Sequence, residues 1–156
     1  MHTVIEAAAS DRLAIERLYA DAIGRAAWLP PHARLRVEFT EVSNGEMVHV
    51  IKAGAGELAG FVSVYKPESF IHHLFVAPQY QRQGLASSLL SSLHTWLPLP
   101  WRLKCIRGNT DALSFYAVAG WKEVGVGENE DGQYLVLEFN QEPQTSIEDM
   151  DAPRAT

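Results

Sequence analysis

The sequence predicts a three-layer α/β/α domain of the α+β class, built on one mixed, mostly antiparallel sheet. Three observations predict it. Residues 47–52, 58–65 and 70–76 are short apolar runs separated by tight turn signals, which reads as an antiparallel meander. Two strand–helix units follow, at 70–97 and 101–119, and the chain then closes with a hairpin over 121–139. A meander, crossover units and a hairpin within one chain imply a mixed sheet rather than a purely parallel or antiparallel one.

Taken in order, Thr3 to Ala7 suits a short strand. Ser10 or Asp11 can cap the next helix, where Ile15, Leu18, Tyr19, Ala22 and Ile23 share one face. Trp28-Leu29-Pro30-Pro31 ends that helix, because proline lacks the amide donor and restricts its predecessor. Arg36 to Val42 fits either a strand or a short helix. Met47–Lys52 leads through Ala53-Gly54-Ala55-Gly56-Glu57 into Leu58–Tyr65, and Pro67-Glu68 turns the chain into Phe70–Val76. Pro78 closes the meander. A helix then starts near Gly84, with Leu85, Leu89, Leu90, Leu93, Trp96 and Leu97 at helical spacing, and Pro98 and Pro100 end it. Trp101–Arg107 is the next strand. Asn109-Thr110-Asp111 opens a helix that buries Ala112, Phe115, Tyr116 and Ala119 and stops at Gly120. Trp121–Val126 and Tyr134–Phe139 form the hairpin around the acidic turn Glu128 to Gln133.

Length and composition suit one domain over residues 1–141. With 156 residues, 47% of them apolar, the chain has enough material for a substantial core. Residues 142–156 carry four acidic side chains and one arginine without periodicity, and read as an acidic, flexible tail. No apolar run approaches the roughly 20 residues that span a bilayer, and no signal peptide opens the chain. The expectation is therefore a cytoplasmic protein with no membrane partner. The net charge of −6 and the lack of a clustered basic surface argue against nucleic acid. Cys105 is the only cysteine, so no internal disulfide forms, and no Cys/His set has metal-ligand spacing. No metal is expected.

The segment carrying chemistry is FIHHLFVAPQYQRQGLASSLL, residues 70–90. A strand runs into Gln81-Arg82-Gln83-Gly84-Leu85-Ala86 and then into a helix. Helix N-termini present unused amides and the positive end of the dipole, which suits a diphosphate. Gly84 allows close backbone approach and Arg82 adds a charge at the rim. An ordinary turn in which the glycine only eases a bend explains these six residues equally well.

The wider pattern resembles the GNAT superfamily of acyl-CoA-dependent N-acetyltransferases. The likeness rests on three features: the Q/R-x-x-G-x-G/A signature at Gln81 to Ala86, the preceding strand Ile71 to Val76 followed by x-Pro, and the run Asn109-x-x-Ala112-x-x-Phe115-Tyr116-x-x-x-Gly120-Trp121. It covers about residues 57 to 139 and implies a GNAT fold in which two parallel strands, Phe70–Val76 and Trp101–Arg107, splay apart to take acetyl-CoA. The diphosphate would lie on Gln81, Arg82, Gln83, Gly84, Leu85, Ala86 and Ser87. The pantetheine arm would bond main-chain groups of Leu74 and Val76, with Phe75 between them counted among the cofactor-binding residues, while Asn109 and Phe115 line the other wall. Tyr116 would serve the departing thiolate as general acid or hydrogen-bond donor, and the Val76 amide would hold the oxyanion.

The resemblance also implies a base for the amine. A carboxylate often stands nine residues before the signature; here that position is His72, an imidazole whose ordinary pKa near 6.5 suits the role. Strand alternation sends His72 and His73 to opposite faces. His73, Glu68 or an ordered water are the other candidates. Cys105, in mid-strand, reads as a core residue rather than an acyl acceptor. The acceptor would be a small-molecule or peptide amine, bound between the first helix, the Trp28–Pro31 turn and the hairpin, with Trp28, Tyr65 and Trp101 as candidate aromatic walls. A homodimer is compatible with this reading. The competing function is a non-catalytic acyl-CoA-binding or sensor module of the same fold.

Overall fold

The computed structural model describes residues 3–34, 39 and 43–143. The acidic tail from residue 144 onward and most of the ambiguous 36–42 stretch lie outside the described residues. In chain order the described elements are β1 (Val4–Glu6), α1 (Arg12–Gly24), α2 (Pro31–Arg34), β2 (Met47–Lys52), β3 (Leu58–Tyr65), β4 (Phe70–Val76), α3 (Leu85–Ser92), β5 (Trp101–Ile106), α4 (Thr110–Val118), β6 (Lys122–Asn129) and β7 (Gly132–Phe139). The strands form one sheet in the order β1-β2-β3-β4-β5-β7-β6, antiparallel except for the β4–β5 pair.

Strand β3 shows why the sheet is covered on both faces. Its neighbours Phe61 and Val62 point to opposite sides, and both are fully buried. Phe61 joins Ile15, Leu18, Tyr19, Phe39 and Val50 under α1. Val62 joins Ile71, Leu89, Leu93, Trp101 and Leu103 under α3 and α4. A strand buried on both faces reads as a near-continuous apolar run, which LAGFVSVY is apart from Ser63. The three-layer α+β expectation therefore holds.

Three local expectations change. Helix α1 already stops at Gly24, so the Trp28–Pro31 turn does not end it; Pro31 instead starts α2, where its fixed φ and missing donor suit a first-turn position. Helix α3 stops at Ser92 and passes into a 3₁₀ turn over Leu93–Thr95. There the Ser92 and Thr95 hydroxyls donate to the carbonyls of Leu89 and Ser92, offering the backbone an alternative to helix. The hairpin is also tighter than its acidic stretch implied. Its turn is only Glu130-Asp131, the Asp131 amide donates to Asn129 Oδ1, and Gly132 takes the positive φ. Acidic residues are tolerated here because β6 is an edge strand with a solvated side.

Asp11 sits at the N-cap position of α1, yet its carboxylate does not cap that helix. It accepts the Ala8 amide at 2.8 Å and pairs with Lys52 Nζ at 2.8 Å, tying the entrance of α1 to the end of β2. The Lys52 hydrogen bond, followed by the Ala8 amide, lowers its pKa below the ordinary 3.8. A depressed carboxylate pKa contributes stability above the unfolded value and loses it as pH falls through the folded value. Asp11→Ala should therefore cost about 1–3 kcal/mol in urea unfolding at pH 7, from the hydrogen-bonded charge. The gap between variant and wild type should narrow as pH falls below the ordinary carboxylate range, through the lowered folded pKa of Asp11.

Candidate active site

The cleft begins where β4 and β5 part. Their parallel pairing registers at one position, Phe70 with Arg102, and no further pair forms toward their C-terminal ends. On the other edge β4 follows β3 closely, with Val62 opposite Leu74 and Gly60 opposite Val76. The Ala77 amide donates to Ala59 O, so Phe75 and Ala77 direct their backbone groups at β3. By alternation Leu74 and Val76 direct theirs away from β3, into the opening. Gln81 Nε2 reaches the outward Val76 carbonyl at 3.0 Å, which agrees with that direction.

The opening holds about 740 Å³, with Leu74 and Val76 on one wall and Phe115 and Tyr116 on the other. Gln81, Arg82 and Gly84 to Ser87 close its end. Gly84 is the N-cap of α3 at φ 78°, and Arg82 adopts φ 65°, a left-handed conformation disfavoured for a non-glycine residue. The first helical bond within α3 runs from the Ser88 amide to Gly84 O, so the amides of Leu85, Ala86 and Ser87 have no helical acceptor. Unused amides, a guanidinium and the positive end of the helix dipole at the end of an elongated cleft fit a diphosphate. Outward amides and carbonyls on β4 fit an amide-bearing arm that adds to the strand. The residues present thus suit coenzyme A.

Tyr116 is almost completely enclosed, packed edge-to-face against Phe115 at 5.2 Å and Trp121 at 5.5 Å. Burial, and secondarily the neighbouring Cys105, pushes its phenol well above the usual tyrosine range, so it is a neutral hydrogen-bond donor at every working pH. Burial also pushes the Cys105 thiol up to about 11. It is protonated at neutral pH and is not a nucleophile.

The two histidines do not lie on opposite faces. Ser63 pairs with His73 and Val64 with Ile71, so His72 is an extra residue with no partner on β3. This bulge breaks the alternation and brings the two rings to 4.0 Å between centroids. His73 is nine-tenths buried against Tyr19, Phe39 and Phe75. That burial, aided by His72, holds its pKa down to about 3, too low for an effective base toward an ammonium group. His72 is more open, and its Nδ1 lies 2.5 Å from Oε2 of Glu46, a buried carboxylate just before β2. Oε1 of Glu46 accepts the Ser63 hydroxyl and lies 4.0 Å from His73 Nδ1, beyond hydrogen-bond reach. Glu46, His72 and His73 each bring one donor atom within 4.8 Å of the others, the nearest approach to a metal-ligand set among the described residues. The Glu46–His72 hydrogen bond already uses two of those atoms.

Several expected residues fall elsewhere. The Phe75 side chain packs against Tyr19 and Phe61 on the α1 face; only its neighbours face the cleft. The Asn109 side chain accepts the Ala112 amide at 3.3 Å as the cap of α4, and neither it nor Gln83 lines the cleft. Asp111, Ala112 and Tyr80 do, and were not anticipated. Glu68 lies in the 3₁₀ turn before β4, and neither it nor His72 nor His73 lines the cleft. Trp101 is core, donating its indole N–H to Leu97 O, and offers no acceptor wall. Tyr65 is exposed, while Trp28 packs with Ala26, Leu29 and Ala33. The turn carrying Trp28 and the hairpin do approach each other, since His32 Nε2 lies 3.7 Å from Asp131 Oδ1. Glu46 was missed outright: it is 26 residues from His72 and within no recognisable motif.

Residues 24–136 match the model of the acetyltransferase (GNAT) domain family. No curated protein matches the chain. Solved structures share its fold. A ribosomal-protein-alanine N-acetyltransferase from Brucella melitensis superposes with a TM-score of 0.69 at 17% identity, covering 89% of this chain and 99% of its own. A mutant of the spermidine N-acetyltransferase SpeG from Vibrio cholerae gives 0.68 at 18% identity, over 90% and 94%. The acetyltransferase yncA from Salmonella typhimurium, solved with its cofactor acetyl-CoA, gives 0.70 at 17% identity, over 94% and 97%. No described helix is long and apolar enough to cross a membrane.

Proposed function

The chain belongs to the GNAT acetyltransferase family, and we propose that it moves the acetyl group of acetyl-CoA directly to a primary amine within a ternary complex. The observation that carries this reading is the β4–β5 opening, which leads from outward backbone groups at Leu74 and Val76 to the unused amides of Leu85 to Ser87. Tyr116 in its wall favours turnover over a purely binding role.

The chain's groups then divide the work. The Arg82–Ser87 loop anchors the diphosphate, and β4 aligns the arm so that the thioester lies beside Tyr116. His72 removes the proton that an ammonium acceptor must lose before it attacks, since such amines are mostly protonated at neutral pH. The outward Val76 amide meets the oxyanion of the tetrahedral intermediate. Tyr116 stabilises the departing thiolate. Direct transfer is favoured because Cys105, with a protonated and buried thiol, offers no acyl relay. Spermidine and a ribosomal-protein alanine, the acceptors named for two structural neighbours, define the first amines to assay.

Calorimetry of acetyl-CoA with the purified protein comes first. Saturable 1:1 binding, followed by acetylation of a member of an amine panel, is the expected result. No heat of binding at millimolar acetyl-CoA would overturn the reading.

A further inference from the structure

We infer that Glu46 is a positioning residue that fixes the tautomer and orientation of His72, an inference that rests on His72 being the base. The resemblance left the central strand without the carboxylate often found at the His72 position. In the folded chain a carboxylate returns to that place from another element. Glu46, just before β2, reaches over β3 and puts Oε2 2.5 Å from His72 Nδ1, while Oε1 takes the Ser63 hydroxyl. Its side chain is only 7% exposed and Ser63 is fully buried, so these two donors replace water around the carboxylate.

The proton inventory follows from those contacts. An ionised carboxylate only accepts hydrogen bonds. With Glu46 ionised, the 2.5 Å contact places a proton on His72 Nδ1 whether the ring is neutral or charged. In the neutral ring that leaves the lone pair on Nε2, the nitrogen that would meet the amine. A histidine side chain free in water prefers the opposite tautomer, with the proton on Nε2. Glu46 would thus reverse the intrinsic preference and hold the ring by a charge-assisted bond. When Nε2 takes a proton, the same carboxylate stabilises the imidazolium without moving. The bulge is part of the device: with regular alternation His72 would turn away from the face on which Ser63 presents Glu46.

Nitrogen-15 NMR of histidine-labelled full-length protein tests this without knowledge of the acceptor. The His72 signals are assigned by their loss in His72→Gln. At a pH where the ring is neutral, wild-type His72 should be protonated on Nδ1, and in Glu46→Ala it should revert to Nε2. Wild-type His72 carrying its proton on Nε2 would overturn the inference, as would an unchanged Nδ1 tautomer in Glu46→Ala. If Glu46→Ala does not fold, the wild-type tautomer still decides. Coenzyme A added to the same samples separates the two levels: failure to bind would defeat the acetyltransferase reading and leave the tautomer result standing.

Discussion

Gly84→Glu is expected to abolish acetyl-CoA binding while leaving the fold intact. A Cβ at position 84 would meet no atom within 4 Å, so the protein itself does not resist a side chain there. The intrinsic cost is conformational. At φ 78° an L-residue is in the left-handed region, worth about 1–2 kcal/mol. Gly84→Ala isolates that cost and should lower the melting temperature slightly, with less than about a tenfold loss in affinity. Glutamate adds a negative charge beside the amides proposed to hold the diphosphate. Two like charges about 4 Å apart near a protein surface repel by about 4 kcal/mol, and a loss of that size weakens binding by more than about 100-fold. Calorimetry on wild type, Gly84→Ala and Gly84→Glu should therefore give strong, slightly weakened and undetectable binding. Equal affinity for all three would remove the Gln81–Ser87 loop from the site.

How far the sequence could be read depended on whether an interaction was local. Strand limits follow from turn chemistry and alternation, so β2, β3 and β4 begin and end at the expected residues. The outward backbone groups of Leu74 and Val76 and the inward packing of Phe75 come from the same parity. The bulge at His72 is not local. It depends on how β4 registers against Ser63 and Val64, and one extra residue reverses the facing of everything before it. Glu46 is less legible still, because its role exists only once β2, β3 and β4 lie side by side. The same limit applies to Asn109: its value as a helix cap is visible in the sequence, but whether its side chain also reaches the cleft is a tertiary question. The extreme case is the approach of His32 to Asp131, which brings together a helix and a hairpin about 100 residues apart.

Tyr116→Phe should lower kcat by about 10- to 100-fold and leave the KM for acetyl-CoA nearly unchanged. The reasoning turns on what a buried phenol can do for a departing thiolate. Even at ordinary values, near 10 for tyrosine and 8.5 for a thiol, full proton transfer is uphill by about 2 kcal/mol. Burial raises the Tyr116 phenol further, so keeping the proton and donating a hydrogen bond is the better use of the group. A hydrogen bond to a charged partner is worth about 1.5–3 kcal/mol, which corresponds to roughly 10- to 150-fold in rate. The thioester sulfur of the ground state is a poor acceptor, so the bond strengthens as charge develops, and its loss falls on kcat rather than on binding. Phenylalanine keeps the packing against Phe115 and Trp121, so thermal stability should change little. Steady-state kinetics of the variant with an accepted amine decides the matter. An unchanged kcat would leave Tyr116 as a wall of the cleft and pass protonation of the thiolate to water.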